Sequence, residues 1–201
     1  TIDGHSAYSY SRDEGRTWDA PQYMRYADGR LIKHPRAANF AWKCENGKFL
    51  YWFHNHGGRF IREHEKRRSI AYDDRNPVWL LGGVETNSPK GKVIRWSQPE
   101  ILLYDDDPRI RMSYPDLVQE ESRFFVTETQ KHIARTHEVD QKLIEGLWDQ
   151  FDRKHVSREG LLLETSEASV PMPELPVFLR RSNRADYASE DLRAGFSLDV
   201  W

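Results

Sequence analysis

Residues 11–18 read SRDEGRTW, a stretch too polar to be the middle of a core strand. Asp13 is placed to accept hydrogen bonds from backbone amides of its own turn. Gly15 is free to take a backbone angle closed to other residues, and Trp18 is expected to pack under the turn as an anchor. These are structural jobs, and none of them moves a proton. The stretch predicts an ordered turn joining two strands.

What those strands belong to follows from a repeat. Trp18-Asp19-Ala20-Pro21-Gln22 recurs as Trp96-Ser97-Gln98-Pro99-Glu100. ENGKFLYWF at 45–53 recurs as ESRFFVTE at 121–128, with Phe49 over Phe124 at nearly the same offset. Two features returning in the same order at nearly the same spacing mark a repeated structural unit. Between them lie short β-like runs: SAYSYS (6–11), KFLYWFHN (48–55), SIAYDD (69–74), PVWLLGGV (77–84), VIRWS (93–97), EILLYD (100–105) and RFFVTET (123–129). Turn pairs such as Asp28-Gly29 and Asn46-Gly47 bound them, as tight hairpins require. Antiparallel sheets repeating every few tens of residues predict an all-β chain, a partial β-propeller with blades of about 40–50 residues. Residues 1–140 then hold about three blades.

From Asp140 the period changes. DQKLIEGLWDQF sets Leu143, Leu147 and Phe151 four residues apart, which predicts a helix, with a connecting segment to 165. Three prolines in VPMPELPVF make a linker, and GFSLDVW begins a new alternating strand. Residues 166–201 are therefore expected to be a linker and the start of a second, truncated β-rich module, both ends of the chain being cuts.

With 30 basic and 32 acidic residues the net charge is −2, giving no one-signed field for nucleic acid or an anionic membrane. No apolar run approaches the roughly 20 residues of a membrane span. Cys44 is the single cysteine, which excludes a disulfide framework and a thiolate metal cluster; it is read as a buried, inert thiol.

Ser11-x-Asp13-x-Gly15-x-Thr17-Trp18 resembles, at every defining position, the Asp-box or BNR repeat of sialidases (neuraminidases) and of some propellers that are not sialidases. The stretch YDDDPRIRMSYPDL with VTETQK, at 104–131, also looks like the last catalytic strand of that family. The resemblance implies a six-bladed propeller, of which this would be the C-terminal half, with 166–201 opening a laminin-G or concanavalin-like sandwich. It implies release of a terminal acidic sugar by a tyrosine nucleophile. That choice makes chemical sense, because the sugar's own carboxylate repels an anionic nucleophile, and sialidases are the exception to the two-carboxylate rule. Tyr114 would be the nucleophile and Glu128 its helper. Arg75 precedes Tyr114 by a separation similar to that of the family's third arginine, and with Arg36 it would clamp the substrate carboxylate. Asn39, His54, His56, Arg111 and Asp116 would contact substrate. Where the family has its glutamate partner and second arginine, this chain has Arg36, Asn39 and His54. The first arginine and the general acid, an aspartate, would belong to earlier blades absent from this chain, so the fragment alone is expected to be inactive. No cofactor or metal is implied, the partner is a glycan, and the compartment would be secreted or periplasmic.

Each assignment has a plain structural counterpart. Tyr114 can be a core tyrosine, and Arg75 a surface charge paired with Asp73. His54 and His56 share a strand face and suit hydrogen bonding at a site rim better than zinc, for want of a third ligand. Asp105-Asp106-Asp107 suits a solvated turn better than Ca²⁺, and REHEKRR at 62–68 a solvated insertion. A non-catalytic Asp-box propeller that binds glycan or protein is the alternative function.

Overall fold

The structure is a computed structural model that describes residues 4–35, 37–56, 75–107 and 110–152. All of them fall in the first of two compact units, Thr1–Lys154. Arg36, the SIAYDD run, the REHEKRR insertion, the proline-rich linker and the expected second module lie outside the described residues.

The described chain is mostly β, in three antiparallel sheets. β1 (Ala7–Tyr8) pairs with β2 (Gln22–Tyr23) across the SRDEGRTW turn. The central sheet runs β3 (Phe40–Lys43), β4 (Phe49–Phe53), β5 (Val78–Ser88). The far edge of β5 is shared: β6 (Gly91–Trp96) pairs with its second half and β7 (Glu100–Leu103) with its first. The third sheet is a meander of β8 (Ser113–Glu120), β9 (Arg123–Gln130) and β10 (Ile133–Val139).

The repeat is structural. Gln22 and Tyr23 lie opposite Tyr8 and Ala7; Glu100 and Ile101, the matching positions of the second copy, lie opposite Leu80 and Trp79. The Trp-x-x-Pro segment thus returns each time to pair with the strand that led into the excursion. In the first unit the excursion is the SRDEGRTW turn; in the second it is the β5–β6 hairpin. Phe49 and Phe124 likewise occupy middle strands, between Lys43 and Gly83 and between Gln119 and Val139 respectively.

Two cores flank the central sheet, because β4 alternates. Leu50 and Trp52 join Val78, Leu80, Phe124, Val126 and Val139, between the central and third sheets. Tyr51 and Phe53 join Met24, Ile32, Leu81 and Trp96, on the side of β1 and β2. A strand buried on both faces reads as a continuous apolar run, which is what FLYWF is.

The helix, α1, spans Gln141–Asp149, with the Asp140 carboxylate accepting from Lys142 N as N-cap. It buries Ile144, Leu147 and Trp148, and Trp148 Nε1 donates to Phe49 O at 2.8 Å. Phe151 of the expected stripe lies beyond the helix end and is half-buried.

SRDEGRTW forms a closed hydrogen-bonded loop. Asp13 Oδ1 accepts from Thr17 N (2.8 Å) and Ser11 Oγ (2.9 Å), Asp13 Oδ2 accepts from Thr17 Oγ1 (2.6 Å), and Gly15 N donates to Ser11 Oγ (2.7 Å). The Asp13 carboxyl is held below its ordinary range by the Thr17 hydroxyl first, then the Thr17 amide and Ser11. Gly15 has φ 88°, as its role demands. Trp18 corrects the expectation. It is 64% exposed, not packed beneath the turn, and its Nε1 closes the loop onto Gly15 O at 3.1 Å. A ring tied to its own turn by its indole N–H cannot also reach down between the sheets.

Candidate functional site

The site residues gather where two sheet ends meet. β3 begins, β4 ends and β5 begins at one edge of the central sheet, since Phe40 pairs with Trp52 and Phe53 with Trp79. That edge carries His34, Asn39, His54, His56 and Arg75. The start of β8 and the end of β9 bring Ser113, Tyr114 and Glu128.

Arg75 joins the two groups. It is buried, with 7% exposure, and so is no surface charge; its Nη1 donates to Ser113 Oγ at 2.6 Å, and its carbonyl accepts from Met112 N at 3.2 Å. Its expected partner, Asp73, lies outside the described residues. Asn76, beside Arg75, binds the backbone of the aspartate turn: its Nδ2 donates to Asp105 O (2.6 Å) and its Oδ1 accepts from Asp105 N (3.1 Å).

A β-bulge organises Tyr114. Ser113 lies opposite Thr129 and Asp116 opposite Thr127, so Tyr114 and Pro115 together stand against Glu128 alone. Tyr114 has φ 52°, the left-handed region that a bulky L-residue enters only under constraint. It is 67% exposed, and its hydroxyl has no hydrogen-bond partner among the described residues, so it is no core tyrosine. Glu128 is fully buried. Its Oε1 accepts from Arg135 Nη1 at 2.7 Å and lies 3.4 Å from His137 Nε2, while Oε2 has no partner.

The histidines are enclosed. His34 and His54 stack with ring centroids 5.9 Å apart and planes 15° apart, and both are buried. His34 Nδ1 accepts from His54 N at 3.3 Å. The other ring nitrogen, Nε2, faces Ala37 O at 3.1 Å, which assigns the Nε2–H tautomer. Burial pushes His34 down to about 4, and His54 is also driven well below its ordinary value, first by burial and then by His34, His56 and Arg75. His54 therefore sits beneath the Arg75 edge as a neutral ring and not on an exposed rim. His56 is half-buried, its ring centroid 6.5 Å from that of His54.

The remaining candidates have structural partners. Asn39 Nδ2 donates to Tyr51 Oη (2.7 Å), which donates to Ser6 Oγ (2.8 Å); burial raises the Tyr51 phenol to about 12. Arg111 is half-buried and its amide donates to Gln130 Oε1 at 3.1 Å. The exposed Asp116 accepts from Leu117 N at 2.9 Å. Arg135, His137 and Ser113 are not legible as site residues in the sequence. Their only signal there is the position of Arg135 and His137 two apart on one strand, and that needs the register to be read. Among the described residues no three His, Cys, Asp or Glu side chains gather as a metal site. No protein-family model, curated protein or solved structure matches the chain.

Proposed function

We propose that this chain is part of a sialidase-like β-propeller, its sheets the blades, and that the bulge at Tyr114 is its glycosidase centre. The observation that carries the reading is that bulge. It holds an exposed phenol in a strained backbone opposite a buried carboxylate with a free oxygen, beside a buried arginine.

In the reaction, Tyr114 Oη attacks the anomeric carbon of a terminal acidic sugar as the glycosidic C–O bond breaks. The phenolic proton passes to Glu128 Oε2. The departing oxygen takes a proton from an acid that the bulge residues do not supply, the role the family gives to an aspartate on an earlier blade. Arg75 answers the substrate carboxylate, joined by Arg36. A binding propeller without catalysis is the second reading, supported by the incomplete acid set.

Tyr114→Phe separates the two. On a fluorogenic sialoside, with the longest available form of the protein, the variant is expected to lose at least about 100-fold in kcat. Unchanged turnover removes the nucleophile assignment, and binding without turnover in the unsubstituted protein favours the second reading.

A further inference from the structure

We infer that Arg135 and His137 are positioning residues for Glu128, fixing one carboxylate oxygen so that the other stands ready as the proton acceptor for Tyr114. The inference rests on the reading of Tyr114 as nucleophile and extends it to two residues on the next strand.

Glu128 belongs to the buried face of β9, in line with Phe124 and Val126. A carboxylate at such a place survives as an anion only when paired. Arg135 lies directly across the strand pair from it, and His137 across from Val126, so one strand delivers both groups to the same oxygen. Both contacts fall on Oε1, at 2.7 and 3.4 Å. Arg135 and His137 are themselves partly exposed, with side chains 26% and 31% accessible, whereas Glu128 is at 0%. The two partners thus lie between the carboxylate and water, and Oε2 is left on the enclosed side with no donor. A network serving stability alone would satisfy both oxygens, since a half-satisfied buried carboxylate is the costlier arrangement. The element facing Glu128 from the other side is β8, whose two opposing residues are Tyr114 and Pro115. Proline has no N–H to give. Tyr114 carries the one side-chain donor of that pair, and its phenol is not bonded to Oε2 in the resting protein; as Tyr114 attacks, its proton passes from Oη to Glu128 Oε2, and it returns when the tyrosine leaves.

The test uses the longest available form of the protein, labelled with ¹³C at glutamate side-chain carboxyls, the Glu128 resonance being assigned by its loss in Glu128→Gln. In Arg135→Met the Glu128 carboxyl resonance is expected to move from its wild-type position at neutral pH, with Arg135→Lys restoring it. Arg135→Gln serves the same purpose if the Met variant does not fold. On a fluorogenic sialoside the neutral variants are expected to lose roughly 10²-fold in kcat with KM within about twofold. An unmoved Glu128 resonance overturns the inference, as does a moved resonance with unchanged kcat. If the unsubstituted protein turns over no acidic glycoside, the glycosidase reading falls instead, and the resonance still decides whether Arg135 holds Glu128.

Discussion

Asp13 and Tyr114 represent two uses of irregular backbone in this chain. Asp13 holds a turn together through Thr17 and Ser11, and its chemistry is local enough to be read from SRDEGRTW. Because its folded carboxyl is depressed, its contribution is complete above its ordinary value of 3.8 and is lost as pH falls through the lower folded value. Asp13→Ala is therefore expected to melt below the wild type at neutral pH, with the gap narrowing under acid; a pH-independent gap counts against the hydrogen-bond account. Tyr114 is different, since its φ of 52° suits glycine. Tyr114→Gly is expected to stabilise the fold by about 0.5–1 kcal/mol while turnover disappears. Thermal melts that show a loss of stability instead would mean that the ring, despite its exposure, packs to some purpose.

Elements were legible in proportion to how far their own sequence decided them. KFLYWFHN and RFFVTET read as strands because their apolar residues serve buried faces, and both are observed as β4 and β9. β8 is legible only through the resemblance of YDDDPRIRMSYPDL to a family strand and not from its own pattern, because Pro115 sits inside it, and a proline argues against a strand unless a bulge relieves the missing donor. β10, IARTHEV, is mostly polar because one face carries Arg135 and His137 toward Glu128. The helix seat depends on two glycines with opposite expectations. A Cβ on Gly82 would come within 2.9 Å of Leu147 and Trp148, while one on Gly146, inside α1, would meet nothing within 4 Å. Gly82→Ala is expected to cost about 1–3 kcal/mol and Gly146→Ala to gain up to about 1 kcal/mol, both by denaturant melts. Equal effects at the two sites would disprove the seating of α1 on β5.

Across the whole unit, the central sheet is shared by two cores, and disturbing either should be felt throughout. Cys44 lies in the core between the central and third sheets, where burial raises its thiol to about 11. It is expected to resist a thiol reagent at mildly alkaline pH in the folded protein and to react on denaturation; fast native-state labelling would show the sheets parting locally. The stacked imidazoles set the acid limit. His34 stays neutral to about pH 4 when folded but protonates near 6.5 when unfolded, so stability falls as pH drops through that interval, by roughly 3 kcal/mol for this residue. Melts taken at neutral pH, midway through the interval and at its acid end should show the decline, and His34→Gln should flatten it.

The sequence by itself determined the all-β class, the repeated unit, the hydrogen-bonded turn at 11–18 and the helix after Asp140, because each depends on side chains a few residues apart or on an apolar face of fixed period. The tertiary structure alone decided which residues meet: that Arg75 reaches Ser113, that a bulge sets Tyr114 against Glu128, that Arg135 and His137 hold one oxygen of that carboxylate, and that His54 is enclosed. Those are matters of strand register and sheet stacking, and a slip of one residue would reassign every one of them while leaving local propensities almost unchanged.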